Sequence, residues 1–329
     1  MDTYKALVVR EKNDEFCCEV ECVNRSFLVD NDVLIRVHYA GLNYKDALSA
    51  SGNRGVTRNY PHTPGVDAAG VVEESRSPAF PKGTKVIVTS YDLGMNTNGG
   101  FAEYISVPAE WIVPMPGSLN MEDAMVMGTA AYTAALALHK MQMMGQSPEM
   151  GEVVVTGASG GVGSMAVALL KKAGYTVIAS SGKTEQYDWL KSIGAKHCVN
   201  REEVDDDSGR PLSAPKWAGA IDTVGGNTLA TLLKSCKKNG SVATCGLVSS
   251  AELHTTVFPF ILNGVNLLGV DSAETPMDLR KRIWERLSSD LKIETLEQMK
   301  KIVALDEIPE YMEEILNGEI VGRIVAKVV

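Results

Sequence analysis

Val153-Val154-Val155-Thr156-Gly157-Ala158-Ser159-Gly160-Gly161-Val162-Gly163 decides how this chain of 329 residues folds. The three valines read as a buried strand, and the apolar run from Gly163 to Ala173 reads as a helix. Between them, Ala158-x-Gly160-x-x-Gly163 is the dinucleotide fingerprint with alanine in the first glycine position; Gly157-x-x-Gly160-x-x-Gly163 overlaps it. Such a turn must leave the strand tightly, let the backbone approach a pyrophosphate, and pack the helix close to the sheet. The pyrophosphate rests on the helix N-terminus, where free N–H groups point outward. Ser159, Gly160, Gly161, Val162 and Gly163 are the contacts expected there.

The next strand end selects the nucleotide. NAD enzymes usually carry an acid about 20 residues on, bonded to the ribose hydroxyls. No Asp or Glu lies between Gly163 and Glu185, and the strand ends in Ser180-Ser181-Gly182-Lys183. Small hydroxyls and a lysine suit a 2′-phosphate, which an acid would repel. NADPH/NADP+ is the expected cofactor, held at Ser181, Gly182 and Lys183, with Arg201 as a second cation. The alternative for Lys183 and Arg201 is a solvated surface charge.

Outward from the turn, strands and helices alternate. Tyr175 to Ala179 is a strand and Glu185 to Ile193 a helix; Ala218 to Thr223 is a strand, Thr228 to Lys237 a helix and Ser241 to Cys245 a strand. Alternation of this kind predicts a doubly wound parallel sheet covered by helices. It is expected to stop after Leu253, with a strand at Val265 to Val270 and a helix at Leu279 to Leu291. Before residue 120 the pattern is different. Asp32 to Tyr39, Gly70 to Glu73 and Lys85 to Thr89 are strands separated by Pro78, Pro81 and Gly83, a mostly antiparallel, barrel-like pattern. Asn120 can cap a helix running to about Met144, with Glu122 and Asp123 in its first turn.

The formal charge of −9 argues against a nucleic-acid binder. The N-terminus lacks a basic segment followed by an apolar one, so no secretory signal is visible. No apolar run approaches the roughly 20 residues that cross a bilayer. Cys17, Cys18, Cys22, Cys198, Cys236 and Cys245 form no regular framework, which fits reduced thiols in a cytoplasmic setting.

Further stretches carry a resemblance. They are Gly41-Leu42-Asn43-Tyr44-Lys45-Asp46, Pro64-Gly65-Val66-Asp67-Ala68-Ala69-Gly70, Gly99-Gly100-Phe101-Ala102-Glu103, Gly128-Thr129-Ala130-Ala131-Tyr132-Thr133-Ala134 and Ala220-Ile221-Asp222-Thr223-Val224-Gly225. With the cofactor turn, they make the chain similar over its whole length to the medium-chain dehydrogenase/reductase superfamily. Asn43-Tyr44-Lys45-Asp46, Pro259-Phe260-Ile261-Leu262 and Gly269-Val270-Asp271-Ser272 resemble the zinc-free, quinone-oxidoreductase-like branch that includes acrylyl-CoA reductase. The resemblance implies an α/β protein with two domains. A GroES-like, mostly antiparallel β-barrel catalytic domain would span 1–122 and 264–329, and a doubly wound Rossmann cofactor domain 123–263. It also implies that Arg323 to Val329 returns to the first domain as a strand, and that homodimers form.

The resemblance bears on chemistry too. Zinc-containing relatives place a cysteine where this chain has Asn43 and a His-Glu pair where it has Val66-Asp67, so no metal is expected. Without a metal Lewis acid, reduction of an activated C=C bond is a better fit than alcohol oxidation. The expected reaction is hydride transfer from NADPH to the β-carbon of an α,β-unsaturated acyl thioester, most simply acryloyl-CoA to propionyl-CoA, with protonation at the α-carbon. Tyr44 is the expected catalytic hydrogen-bond donor or a holder of the cofactor; Asn43 bonds substrate or caps the turn; Lys45 and Asp46 suggest a helix-start salt bridge. By resemblance, Thr133, Leu247, Ile261, Ser272 and Asn317 border the cofactor, and Arg54, Arg58 and Arg323 are candidate cations for the CoA phosphates. Two alternatives remain: a quinone or enone oxidoreductase, and an NADPH-binding protein without activity.

Overall fold

The computed structural model of the chain describes residues 2–13 and 15–329. Its elements run β1 (Thr3–Lys12), β2 (Glu15–Asn24), β3 (Val33–Gly41), α1 (Tyr44–Ala50), β4 (Asp67–Ser75), β5 (Lys85–Thr89), β6 (Tyr104–Val107), β7 (Ile112–Pro114) and α2 (Met121–Met143). There follow β8 (Val153–Val155), α3 (Gly161–Lys172), β9 (Val177–Ser180), α4 (Tyr187–Ser192), β10 (His197–Val199), β11 (Trp217–Asp222), α5 (Gly226–Lys234), β12 (Cys236–Thr244), α6 (Phe258–Asn263) and β13 (Asn266–Gly269). The chain ends with α7 (Met277–Ser288), β14 (Lys300–Ala304), α8 (Ile308–Leu316) and β15 (Arg323–Lys327). No helix among the described residues is long and apolar enough to cross a membrane.

Two compact units result: 1–129 with 273–288 and 299–329, and 130–272 with 289–298. In the first, a seven-stranded sheet runs β14-β15-β3-β4-β5-β7, with β6 also paired to β3. Its pairings are antiparallel apart from β14 with β15. β3 joins β15 on one side and β4 on the other, so the last strand completes a sheet begun near residue 33. Val33, Ile35 and Val37 of β3 alternate into a core shared with Val72, Val86, Val88, Ile105 and Ile324. Cys17, Cys18 and Cys22 lie on β2, which pairs with β1 as a separate ribbon.

In the second unit six strands lie in the order β10-β9-β8-β11-β12-β13, every pair parallel. Val153, Val154 and Val155 are fully buried, as befits a strand covered on both faces. The order reverses beside β8: one branch proceeds to β9 and the other to β11. Ligands of such sheets bind outside the carboxyl ends of the strands at this switch point.

The structure corrects two expectations here. The alternation does not stop after Leu253: the short helix α6 leads to β13, which adds a sixth parallel strand beside β12. Residues 264–272 therefore pack with the second unit, and its boundary falls at 272/273 rather than 263/264. At the other end the helix capped by Asn120 is real, for Asn120 Oδ1 accepts the Asp123 N–H at 2.7 Å. It is kinked, however, at Gly128 (φ 46°, ψ −152°), and the units divide at 129/130 rather than 122/123.

Candidate active site

Within the second unit the Gly-rich turn is built by steric necessity. A Cβ on Gly163 would stand 2.2 Å from Gly157 O and 2.7 Å from Ala158 Cα, so only glycine lets α3 start this close to the turn. Gly157 takes φ 58°, and a Cβ there would meet Thr223 Oγ1 at 2.3 Å. Gly160 caps α3, and the Ser164 N–H bonds back to Gly160 O at 2.9 Å. The N–H groups of Gly161, Val162 and Gly163 open the helix, the arrangement that receives a pyrophosphate.

Thr156, at the end of β8, donates to Asp222 Oδ1 at 2.7 Å, and Thr223 Oγ1 donates to Thr156 O at 2.9 Å. Asp222 is fully buried and also accepts the N–H groups of Val224 (3.2 Å) and Gly225 (3.0 Å) and the hydroxyl of Thr244 (3.2 Å). Burial pushes its carboxyl up, against four donors that favour the charged form. This carboxylate ties the ends of β8, β11 and β12 together beneath the cradle.

At the end of β9 the residues expected to select the nucleotide meet. Ser159 Oγ and Ser181 Oγ are 3.0 Å apart, and the Lys183 N–H bonds Ser181 Oγ at 3.1 Å. Arg201 lies across Gly182: a Cβ there would be 3.4 Å from Arg201 Cδ and 3.6 Å from Nε. Ser159, Ser181, Gly182, Lys183 and Arg201, remote in sequence, thus share one corner. Thr133 and Ser272 also meet, Thr133 Oγ1 donating to Ser272 Oγ at 2.8 Å. Leu247 and Ile261 are both largely exposed, Ile261 on α6.

The first unit holds a buried polar cluster that sequence reading did not anticipate. Asp67, fully buried at the start of β4, accepts Asn43 Nδ2 (2.8 Å), the Thr129 N–H (2.8 Å) and the Thr129 hydroxyl (2.6 Å). Arg323 Nη2 lies 3.6 Å from Asp67 Oδ2; Nη1 donates to Leu42 O (2.7 Å) and Asn43 Oδ1 (3.2 Å), and Nε to Val126 O (3.0 Å). Burial pushes the Asp67 carboxyl up and the Arg323 guanidinium down, while mutual attraction and the donors on the carboxylate act to keep both charged. A Cβ on Gly128 would fall 2.3 Å from Asp67 Oδ2, which explains glycine at the kink.

Two expectations are corrected by this cluster. Arg323 is 3% exposed and bonded inward, so it is not a cation for CoA phosphates. Asp46 makes no helix-start salt bridge with Lys45: it is fully buried and accepts the N–H groups of Asn43 (2.8 Å), Gly65 (3.1 Å) and Val66 (2.9 Å). Asn43 spends both amide hydrogens on Gly41 O and Asp67, which favours its turn-holding role over a substrate contact. Tyr44, the first residue of α1, is 42% exposed, and its hydroxyl makes no hydrogen bond among the described residues. Asn317 closes α8 and is exposed. Arg54 is engaged by Glu11 and by the faces of Phe16 and Tyr60, while Arg58 is exposed on the same turn.

Comparison with known proteins identifies the family. The family model of the alcohol dehydrogenase GroES-like domain matches residues 29–117, and that of zinc-binding dehydrogenases matches 161–289. The putative quinone oxidoreductase YhfP of Bacillus subtilis is 46% identical over 98% of this chain and 98% of its own. The chain belongs to the medium-chain dehydrogenase/reductase superfamily of oxidoreductases. The probable acrylyl-CoA reductase AcuI of Escherichia coli is 44% identical over 98% of this chain and 99% of its own. The crystal structure of the yhdH oxidoreductase of Salmonella enterica, in complex with NADP, superposes with a TM-score of 0.96 at 42% identity, covering 99% of this chain and 100% of that one.

The superfamily includes zinc enzymes, but these residues do not fit a zinc site. Val66 has no donor atom, the amide hydrogens of Asn43 are committed, and Asp67 faces Arg323. No group of three or more His, Cys, Asp or Glu side chains among the described residues is placed to hold a metal ion. Of this cluster, Asp67 and Arg323 gave a signal in the sequence: each is a charge opening an apolar strand, which demands a buried partner.

Proposed function

We propose that the chain is an NADPH-dependent reductase of the C=C bond of an α,β-unsaturated acyl thioester, acryloyl-CoA being the simplest. The observation that carries the cofactor choice is the corner of Ser159, Ser181, Gly182, Lys183 and Arg201, which offers hydroxyls and cations to a 2′-phosphate. The turn from Gly157 to Gly163 fits the pyrophosphate, since its glycines leave room that any Cβ would fill. When bound, the nicotinamide supplies the hydride.

This chain's own residues prepare the rest. Ile261 and Ser272 border the nicotinamide end, and Thr133 and Leu247 lie along the cofactor. Tyr44 presents an unused hydroxyl at the start of α1. Its phenol O–H can donate to the carbonyl oxygen on which enolate charge develops. Asn43, Asp46 and Asp67 hold the turn that carries Tyr44. Protonation of the α-carbon completes the reduction.

The substrate assignment follows the acrylyl-CoA reductase kinship, and the YhfP kinship supports quinone or enone reduction as the second reading. A homodimer is part of the proposal. β13 is an edge strand, and Val257, Phe258, Ile261, Leu262 and Leu267 leave an apolar surface on and before it. Six free cysteines support a reducing, cytoplasmic location.

The test is isotopic. With NADPH deuterated at C4 and acryloyl-CoA, the product should carry deuterium at the β-carbon of propionyl-CoA and solvent hydrogen at the α-carbon. Deuterium that never reaches the acyl chain would remove the thioester reading.

A further inference from the structure

Ser90 and Tyr91, at the end of β5, are consecutive non-glycine residues with left-handed backbone, φ 60° and 51°. A bulky residue there is an outlier, and such strain persists only where its surroundings impose it. The surroundings are specific. Ser90 Oγ is 3.0 Å from Thr129 Oγ1, and Thr129 is fixed to Asp67 through its N–H and hydroxyl. The Tyr91 N–H bonds Ala273 O at 3.2 Å, and the Tyr91 hydroxyl donates to Thr275 O at 3.1 Å.

The fully buried Arg280 closes this arrangement. Its Nη2 donates to Ala273 O at 2.8 Å, Nη1 to Thr89 O at 2.9 Å, and Nε to the Tyr91 hydroxyl at 3.2 Å. Its guanidinium lies 4.2 Å from the Tyr91 ring centroid, and Trp111 stacks 5.8 Å from that ring. The strained dipeptide therefore grips two particular places. Thr129 is the last first-unit residue before the chain enters the second unit, and Ala273 is the first after it returns. On the other side of these crossings, Thr133 and Ser272 are bonded to each other.

We infer that Ser90-Tyr91, braced by Arg280, is a latch that fixes the segments at the 129/130 and 272/273 crossings and thereby positions the hydroxyls of Thr133 and Ser272 for hydride transfer. The roles of Thr133 and Ser272 rest on the reductase reading above; the latch itself does not. Ser90, Tyr91 and Arg280 are positioning residues, remote from the reacting atoms in the chemistry proposed. Thr133 lies four residues past one crossing and Ser272 immediately before the other, so loosening either anchor is felt at once by the pair.

Two full-length variants test this. Ser90→Gly tolerates the left-handed backbone and removes the hydroxyl bonded to Thr129. Tyr91→Phe keeps the ring stack and removes the bonds to Thr275 O and Arg280. Amide exchange is read by mass spectrometry with NADPH bound, alongside NADPH affinity by fluorescence and kcat and KM with acryloyl-CoA and 1,2-naphthoquinone.

Exchange over 129–133 and 270–276 should rise about tenfold or more while α3 stays protected. The value of kcat should fall about tenfold, because small misplacements at reacting centres are costly. NADPH affinity should stay within about twofold, since the phosphate contacts are untouched. Unchanged exchange in both variants overturns the latch, as does a rise spread over the whole first unit. Local loosening with unchanged kcat overturns the positioning role. If the unaltered protein consumes no NADPH with either acceptor, the reductase reading fails, and the exchange pattern still decides the latch. Should Ser90→Gly fail to fold, Tyr91→Phe decides alone.

Discussion

Arg323 and Asp67 form a buried pair, Nη2 to Oδ2 3.6 Å, with Asn43 and Thr129 also donating to the carboxylate. One comes from the last strand and the other from the fourth, so the pair also fastens the C-terminal strand into a sheet begun near residue 33. Removing one member strands a charge in a dry interior, which costs about 3–5 kcal/mol. Arg323→Met should destabilise the chain by that order in urea denaturation. The double variant Arg323→Met with Asp67→Leu should lose less than the sum of the two single changes.

Asp46 should make stability depend on pH. Burial pushes its carboxyl up to about 7, although three backbone N–H groups favour the charged form. The folded pKa then exceeds the unfolded value of about 4, so between these values the folded chain holds the extra proton. Asp46 therefore makes stability fall as pH rises from about 4 to 7, with no further change above that window. Asp46→Asn should flatten this component in denaturation curves measured across the window; an identical slope in both proteins would contradict the assignment.

Lys183→Ala and Arg201→Ala should each weaken NADPH binding by about 10- to 100-fold, the worth of a charge-assisted hydrogen bond. NADH binding should hardly change. Parallel titration with both nucleotides reads the difference.

Tyr44→Phe distinguishes two roles for one hydroxyl. Loss of a donor to the developing enolate lowers kcat by about 100-fold, with KM for NADPH little altered. A tyrosine that only holds the cofactor would instead raise that KM and spare kcat. Steady-state kinetics at saturating acceptor reads the difference, and the proposed mechanism predicts the first pattern.

Gly163→Ala should damage the cradle and the fold together. Its Cβ would press on Gly157 O at 2.2 Å, and such overpacking costs about 1–3 kcal/mol. Lost NADPH binding with a lowered unfolding midpoint, measured by fluorescence and denaturation, is the expected result.

Much of the second unit was legible because its signals are local. Val153 to Val155 are buried on both faces, and the glycines that follow can be read from what a Cβ would strike. The place of β13 in the parallel sheet escaped because α6, which leads to it, is only six residues long, too short to show helical periodicity. The polar cluster escaped for a different reason. Asp46, Asp67, Thr129 and Arg323 are scattered along the chain, and only the sheet pairing of β3 with β4 and β15 brings their segments together. The latch was hidden because nothing about Ser90 or Tyr91 as residue types announces positive φ, which the bonds to Thr129, Ala273 and Thr275 impose.

The most direct test follows NADPH absorbance with the purified chain, acryloyl-CoA and 1,2-naphthoquinone in separate reactions, each repeated with NADH. The reading developed above predicts rapid, NADPH-selective loss with acryloyl-CoA and slow loss with the quinone. Turnover with the quinone alone would contradict the thioester assignment, and tight NADPH binding without turnover of either acceptor would contradict the reductase itself.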